Sequence, residues 1–455
     1  MTKNWHDLTA LELGQHIGEG AIDPIELAQY FFGRIKEHDP QKRIYVRLTE
    51  ERALKEAEAA KVRAKNGTRL SPLDGVPISW KDLFDTAGIA TEGGSRLFEG
   101  RVPTRDAECL TRAGRAGLVC LGKTNMPDVA FSGIGVNPWT GTGPNPFDKN
   151  MERVPGGSSA GAALSVAEGL APAAIGSDTA GSVRIPAAWC GLTGLKTTHG
   201  QISLEGAMLL SYSQDTVGPL TKDVADANIL YSILSGRPKP DLSGVSLKGV
   251  RILRATSQFD ELCDPKILSR VKEGLSLLKV AGAEITEGPV PAFNDAVALS
   301  ARHGSPAAIE ACMMYGDQIR ANPGAMYAPI AERILAAEKF SAVDAAALYR
   351  GMEKLTADYL LQTAGYDLVV GPTQPEHPPA IAPLLESIEA YLRATLMSIS
   401  LTRLANLLRL CATTLPCGLE SGFPVGMMLM APGNTEGKLL RLSAAAEQAL
   451  KPLNV

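Results

Sequence analysis

Residues 153–186 read RVPGGSSAGAALSVAEGLAPAAIGSDTAGSVRIP. Two turns of small residues, each carrying serine, bracket one helical stretch over 160–168 and one apolar strand over 171–176. Glycine accepts dihedrals and close contacts that a side chain forbids, so a serine in such a turn can meet a substrate at close backbone range. The arrangement points to a serine-based hydrolase built on an α/β layer.

Working outward, short apolar runs at 76–79, 118–121, 171–176, 250–253, 368–370 and 426–430 read as strands between helical stretches. That alternation favours helices packed on a largely parallel sheet. Thr9-Ala10-Leu11-Glu12 and Asp23-Pro24-Ile25-Glu26 have the spacing of capping boxes, so two helices open the chain, the second burying Leu27, Tyr30, Phe31 and Ile35. A third helix runs from near Thr49 to Asn66-Gly67. Gly-Arg-Pro-Lys-Pro at 236–240 is the best linker candidate, yet strand-like segments on both sides can share one sheet. The expectation is one domain over 1–455, with a helical segment at 1–66, a core at 70–235 and a C-terminal part at 245–455 sharing the sheet.

Hydrophobic residues make up 45% of the 455 and charged residues 21%, values that suit a sizeable core rather than disorder. A formal net charge of −4 offers no electrostatic footprint for nucleic acid or an anionic membrane. The N-terminus lacks the apolar run of a signal peptide, and no stretch of ~18 apolar residues occurs, so a cytoplasmic location is expected. The seven cysteines contain no Cys-x-x-Cys pair and the six histidines no His-Glu-x-x-His, so neither a disulfide framework, a metal nor another cofactor is expected.

The motifs also resemble a known family. Gly156-Gly157-Ser158-Ser159-Ala160-Gly161, then Gly176-Ser177-Asp178-Thr179-Ala180-Gly181-Ser182-Val183-Arg184-Ile185-Pro186, Cys190-Gly191 and Gly194-Leu195-Lys196 look like the core of the amidase signature family. Gly75–Asp82, 122–127, Asp215-Thr216-Val217-Gly218-Pro219, Gly371-Pro372-Thr373 and Leu415-Pro416-Cys417-Gly418 follow its order. Ala160 and Ala180 stand where that family more often has glycine. The resemblance implies a single large mixed, mostly parallel β-sheet flanked by helices on both faces, and an amide hydrolase acting on a small-molecule amide with water.

It also implies the site: Ser182 as nucleophile, Ser158 beside a non-proline cis peptide bond as its partner, and Lys81 completing the triad. A lysine buried without a compensating carboxylate becomes a neutral amine able to act as base, which makes the assignment physically sensible. Backbone N–H groups of Thr179, Ala180, Gly181 and Ser182 form the natural oxyanion hole. An alanine at 180 is strained if that position needs positive φ. Ser177, Asp178 and Arg184 read as supports of the second turn, Arg184 alternatively as a contact for a substrate carboxylate. Esters or carbamates are further candidate substrates.

Taken singly, Lys81 reads as a surface lysine paired with Asp82, and Ser158 and Ser159 as caps of the following helix. Gly157-Ser158-Ser159-Ala160-Gly161 also fits the G-x-S-x-G elbow of α/β-hydrolases, with Ser159 as nucleophile and a base such as His377. A third reading is the glutamine-amidase subunit of an amidotransferase complex. The sequence marks no partner surface, and the assembly, a homodimer included, stays open. Met126–Ile134, Gly206–Gln214 and the helical region 300–345 are the expected pocket walls.

Overall fold

In the computed structural model, which describes residues 4–148 and 151–454, eleven strands form one sheet. They are β1 (Tyr45–Leu48), β2 (Pro77–Lys81), β3 (Val119–Thr124), β4 (Ala173–Asp178), β5 (Thr193–Lys196), β6 (Thr216–Thr221), β7 (Arg251–Ala255), β8 (Glu284–Gly288), β9 (Leu368–Pro372), β10 (Cys411–Glu420) and β11 (Phe423–Ala431). Their spatial order is β1-β3-β2-β4-β6-β5-β10-β11-β9-β7-β8. One sheet therefore runs through both sides of the 236–240 stretch.

The sheet is mixed, but the expectation of mostly parallel pairing needs correction. Parallel pairs are confined to β3-β2-β4 on one side and β9-β7-β8 on the other. Between these blocks every pairing from β4 through β6, β5, β10 and β11 to β9 is antiparallel. The six strands read from apolar runs are β2, β3, β4, β7, β9 and β11; the edge strands β1 and β8 escaped that reading, and so did the middle of the sheet, β5, β6 and β10. The sequences of these middle three are rich in threonine, glycine and proline. The hydroxyls of Thr413 and Thr414 are buried in side-chain hydrogen bonds to Ser443 and Thr373, so burial there leaves no apolar run.

Every residue of β2 to β6 and of β9 is buried, which requires cover on both faces. Helix α1 (Ala10–Gly18) starts with a complete capping box on Thr9 and Glu12. In α2 (Pro24–His38) Asp23 instead caps the N–H of Ile25 behind the N1 proline. Leu27, Phe31 and Ile35 are buried as expected, whereas Tyr30 is half-buried against Trp5. Helix α3 spans Glu50–Lys65, α4 Glu108–Arg115, α5 Ala160–Ala167, α6 Arg184–Trp189 and α7 Val224–Ser235. No helix among the described residues is long and apolar enough to cross a membrane.

The site follows from this topology. β2 and β4 are parallel neighbours, with Trp80 opposite Ile175, so their C-terminal ends and the loops after them emerge side by side. β2 ends on Lys81 and β4 on Asp178. Helix α5 packs on both strands and carries the first serine turn at its N-terminal end.

Candidate active site

Lys81 has no exposed surface, and its Nζ lies 2.6 Å from Ser158 Oγ and 2.9 Å from Ser177 Oγ. The Gly157–Ser158 peptide bond is cis. The second serine turn is tied to the first by the Ser159 N–H, which donates to the Ser182 carbonyl at 3.2 Å. Lys81, Ser158 and Ser177 thus form one hydrogen-bonded cluster, with the backbone of Ser182 attached to it. Asp82 does not pair with Lys81: its carboxylate faces Lys123 and Arg47, each at 3.7 Å.

The turn after β4 is built around Asp178. Its carboxylate accepts from the N–H groups of Gly181 (2.8 Å) and Val183 (3.2 Å) and from Nε and Nη2 of Arg184, both at 3.0 Å. Arg184 also donates to the Thr402 carbonyl and to Asn406 Oδ1. With its donors spent inside the protein, Arg184 supports the turn and is not a substrate contact. The Gly181 N–H is engaged with Asp178, which corrects its expected place among the oxyanion donors. Ala180 is unstrained, because positive φ falls on Gly181 (+130°) instead. A Cβ at Gly181 would lie 2.1 Å from Thr402 Oγ1, the hydroxyl that donates to the Ala180 carbonyl.

Burial lowers the Lys81 amine to about 7, with Asp215 and Asp178 pulling the other way. Desolvation alone would raise Asp178, but the adjoining Arg184 guanidinium overrides it and holds the carboxyl well below the usual range. Asp215 is pushed up to about 6 by burial, although it accepts from Thr179 Oγ1 and from the N–H groups of Leu210 and Ser211. Asp215, Thr402 and Asn406 brace the turn and were not expected as site residues. Asp215 opens a quoted motif, whereas Thr402 and Asn406 lie in a segment with no local signal.

The elbow reading fails on geometry. Ser159 Oγ is fully buried, 2.5 Å from where a Cβ on Gly176 would sit, and bonds the Ser177 backbone through both N–H and carbonyl. His377 pairs with Glu420, His303 with Asp344, and His199 contacts the Asp215 carbonyl. None of them bonds a serine. Cys190 is buried against the Pro155 carbonyl with its thiol pushed up by desolvation, as suits a core residue.

Ser182 lines a chamber of about 50 Å³ together with Phe131, Thr179, Ala180, Leu210 and Arg333. A larger cleft of about 290 Å³ shares Phe131, Thr179, Ala180 and Arg333 with it. All three expected wall segments contribute, through Phe131, Gln214 and residues from Ser300 to Phe340. The stretch from Thr395 to Leu407, which adds Leu396, Ile399 and Arg403, was not anticipated.

Comparison with known proteins identifies the family. The profile of the Amidase family matches residues 26–440. The A subunit of the glutamyl-tRNA(Gln) amidotransferase of Pseudomonas fluorescens (strain Pf0-1) is 33% identical over 96% of this chain and 96% of its own. The 2-amino-5-chloromuconic acid deaminase of Comamonas testosteroni is 34% identical over 90% of this chain and 89% of its own. A crystal structure of an amidase superposes with a TM-score of 0.87 at 29% identity, over 97% of this chain and all (100%) of that one. The chain belongs to the amidase signature family and is a hydrolase acting on amides.

Proposed function

We propose that the chain is a free-standing serine amidase that cleaves a carboxylic amide through an acyl-enzyme on Ser182, with Lys81 as base and Ser158 as proton relay. The observation that carries this is the 2.6 Å contact between the Ser158 hydroxyl and a lysine sealed from solvent. The neutral amine takes the Ser158 proton while Ser158 takes that of Ser182, whose Oγ attacks the carbonyl carbon. The N–H groups of Thr179, Ala180 and Ser182 receive the oxyanion, Gly181 being occupied. Proton return along the same path protonates the leaving nitrogen as the C–N bond breaks. Water then repeats the sequence on the acyl-enzyme.

The test is labelling with a fluorophosphonate followed by peptide mapping. An adduct on Ser182 is expected; an adduct on Ser159 overturns the assignment.

The second reading, one component of an amidotransferase, is favoured by the 33% identity to the Pseudomonas protein over nearly the whole length. The purified chain hydrolysing simple amides without added protein decides for the first; activity that appears only with a partner decides for the second.

A further inference from the structure

The cleft beside Ser182 has an unbalanced charge. Arg333, Lys339 and Arg403 line it, and among the described residues no aspartate or glutamate does. Neither Arg333 nor Arg403 has a carboxylate within ion-pair distance among the described residues. Arg333 donates to the Phe131 carbonyl at 3.1 Å and stacks over the Phe131 ring at 4.3 Å, contacts that orient a guanidinium but neutralise nothing. Arg403 Nε is buried without a hydrogen-bond partner. Two more buried polar atoms lacking partners, Ser300 Oγ and Gln214 Oε1, belong to side chains lining the same cleft.

Native interiors leave few polar groups unpaired, so three at one cavity wall need a cause. The two fully buried arginines are matched, Arg184 by Asp178 and Arg254 by Asp260, and the half-buried Arg34 and Arg69 donate to backbone carbonyls. What sets Arg333 and Arg403 apart is that they share one cleft. Glu310, on the helix Pro306–Ala321 that supplies Ala307 and Ala308 to the wall, is already taken by Ser211, the Ser213 N–H and Tyr349. It is not the missing counterion.

We propose that Arg333 and Arg403 anchor a carboxylate on the acyl side of the substrate, so that the enzyme selects monoamides of dicarboxylic acids over neutral amides and over amides bearing an α-ammonium. The inference rests on the amidase reading above. The planar guanidinium fork matches a carboxylate, and Arg333 lines both the cleft and the chamber that holds Ser182, so an anchored carboxylate lies within a short acyl chain of the nucleophile. An ammonium in the same cleft meets three cations and no acid. The site therefore disfavours glutamine, although glutamine carries a carboxylate of its own.

Three amides of matched length separate these terms: glutaric acid monoamide, glutamine, which differs from it by the α-amino group, and pentanamide, which lacks the carboxylate. The expected kcat/KM for the monoamide exceeds those of both others by about 10- to 100-fold, the range of a charge-assisted contact. Arg403→Leu and Arg333→Leu lower the ratio of monoamide to pentanamide by at least about tenfold, chiefly through KM, and Arg403→Lys recovers part of it. Glutarate binding, followed by calorimetry, is expected for the wild type and lost in Arg333→Leu/Arg403→Leu. If pentanamide or glutamine equals the monoamide and glutarate does not bind, the proposal falls while the amidase reading stands. If no amide turns over yet glutarate binds through the arginines, the amidase reading falls and the anion site stands.

Discussion

Lys81 and Lys123 sit on adjacent parallel strands, one position out of register, and neither has exposed surface. Their contacts differ in kind. Lys123 donates to the Phe84 carbonyl and to Thr91 Oγ1 and faces Asp82 at 3.7 Å. Lys196, also buried, donates to the carbonyls of Thr197 and Leu410. A carbonyl can only accept, so these neighbours suit an amine that keeps its protons. Lys81 meets only the hydroxyls of Ser158 and Ser177, which can accept from it or donate to it. Burial lowers all three amines, Lys196 to about 8. Among them, only Lys81 has neighbours that tolerate both protonation states. Desolvation makes a lysine capable of losing its proton, and amphoteric partners let it exchange that proton with a reaction.

The sharpest way to break this contrast is to remove the reacting groups. Ser182→Ala is expected to lower kcat by about 10⁵-fold or more and to abolish fluorophosphonate labelling, and Lys81→Ala to lower kcat by ~10³–10⁵ with the fold retained. Lys123→Met is the control. It removes a buried partner of Asp82 and costs on the order of 2–4 kcal/mol of stability, yet kcat is expected to stay within about tenfold. Equal loss of kcat in Lys81→Ala and Lys123→Met, measured on folded protein, would reduce both lysines to structural members.

Ser158→Ala tests the relay between base and nucleophile. Ser182 survives but its route to Lys81 is cut, so amide hydrolysis is expected to fall by about 10²–10⁴. Ester hydrolysis falls less, because an alkoxide leaves with less proton assistance than an amine. Unchanged rates on both substrates would make Ser158 a turn residue.

How much of this was legible beforehand depends on whether the information is local. The two serines of the proposed triad sit in turns whose small residues announce themselves at fixed spacing, and Lys81 closes strand β2. Strands β2 and β4 were visible through the short apolar stretches that lead into their polar ends. The central strands β5, β6 and β10 hide because they bury threonines, several of whose hydroxyls bond Ser443, Thr373 or backbone carbonyls, in place of an apolar run. Arg333 and Arg403 hide for a different reason. An arginine in a helix ordinarily reads as part of a solvated face, and only the folded chain shows that no acid answers it. The Gly181 N–H was misread because Asp178, three residues back, folds over the turn it supports.

The pH profile sharpens the contrast further. If Lys81 is the base, log kcat/KM on an amide rises with unit slope below about 7 and levels above it, the value to which burial lowers that amine. At pH 6 the rate is expected to lie about tenfold below the plateau. The limb should keep its position in Lys123→Met. A profile flat from pH 5.5 to 8.5 would contradict the assignment of Lys81.

The smallest effect is thermodynamic, and its sign is specific. In the unfolded chain Lys81 holds its proton up to about pH 10.4; in the fold it does so only below about 7. Between those values the unfolded state binds more protons, so the wild type gains stability as pH rises from about 7 toward 10 and is most penalised below 7. Lys81→Met fills similar volume and carries no such penalty. It is therefore expected to melt higher than the wild type, by on the order of 5 °C near pH 6, with the gap narrowing at pH 9. Such a gain, in a variant expected to be inactive, would reflect a site kept at the expense of stability. Melting curves of both proteins at the two pH values check it. A variant less stable than the wild type at pH 6, or a gap that widens toward pH 9, would mean that the amine is held as an ammonium, and that hydroxyl neighbours do not distinguish Lys81 from Lys123.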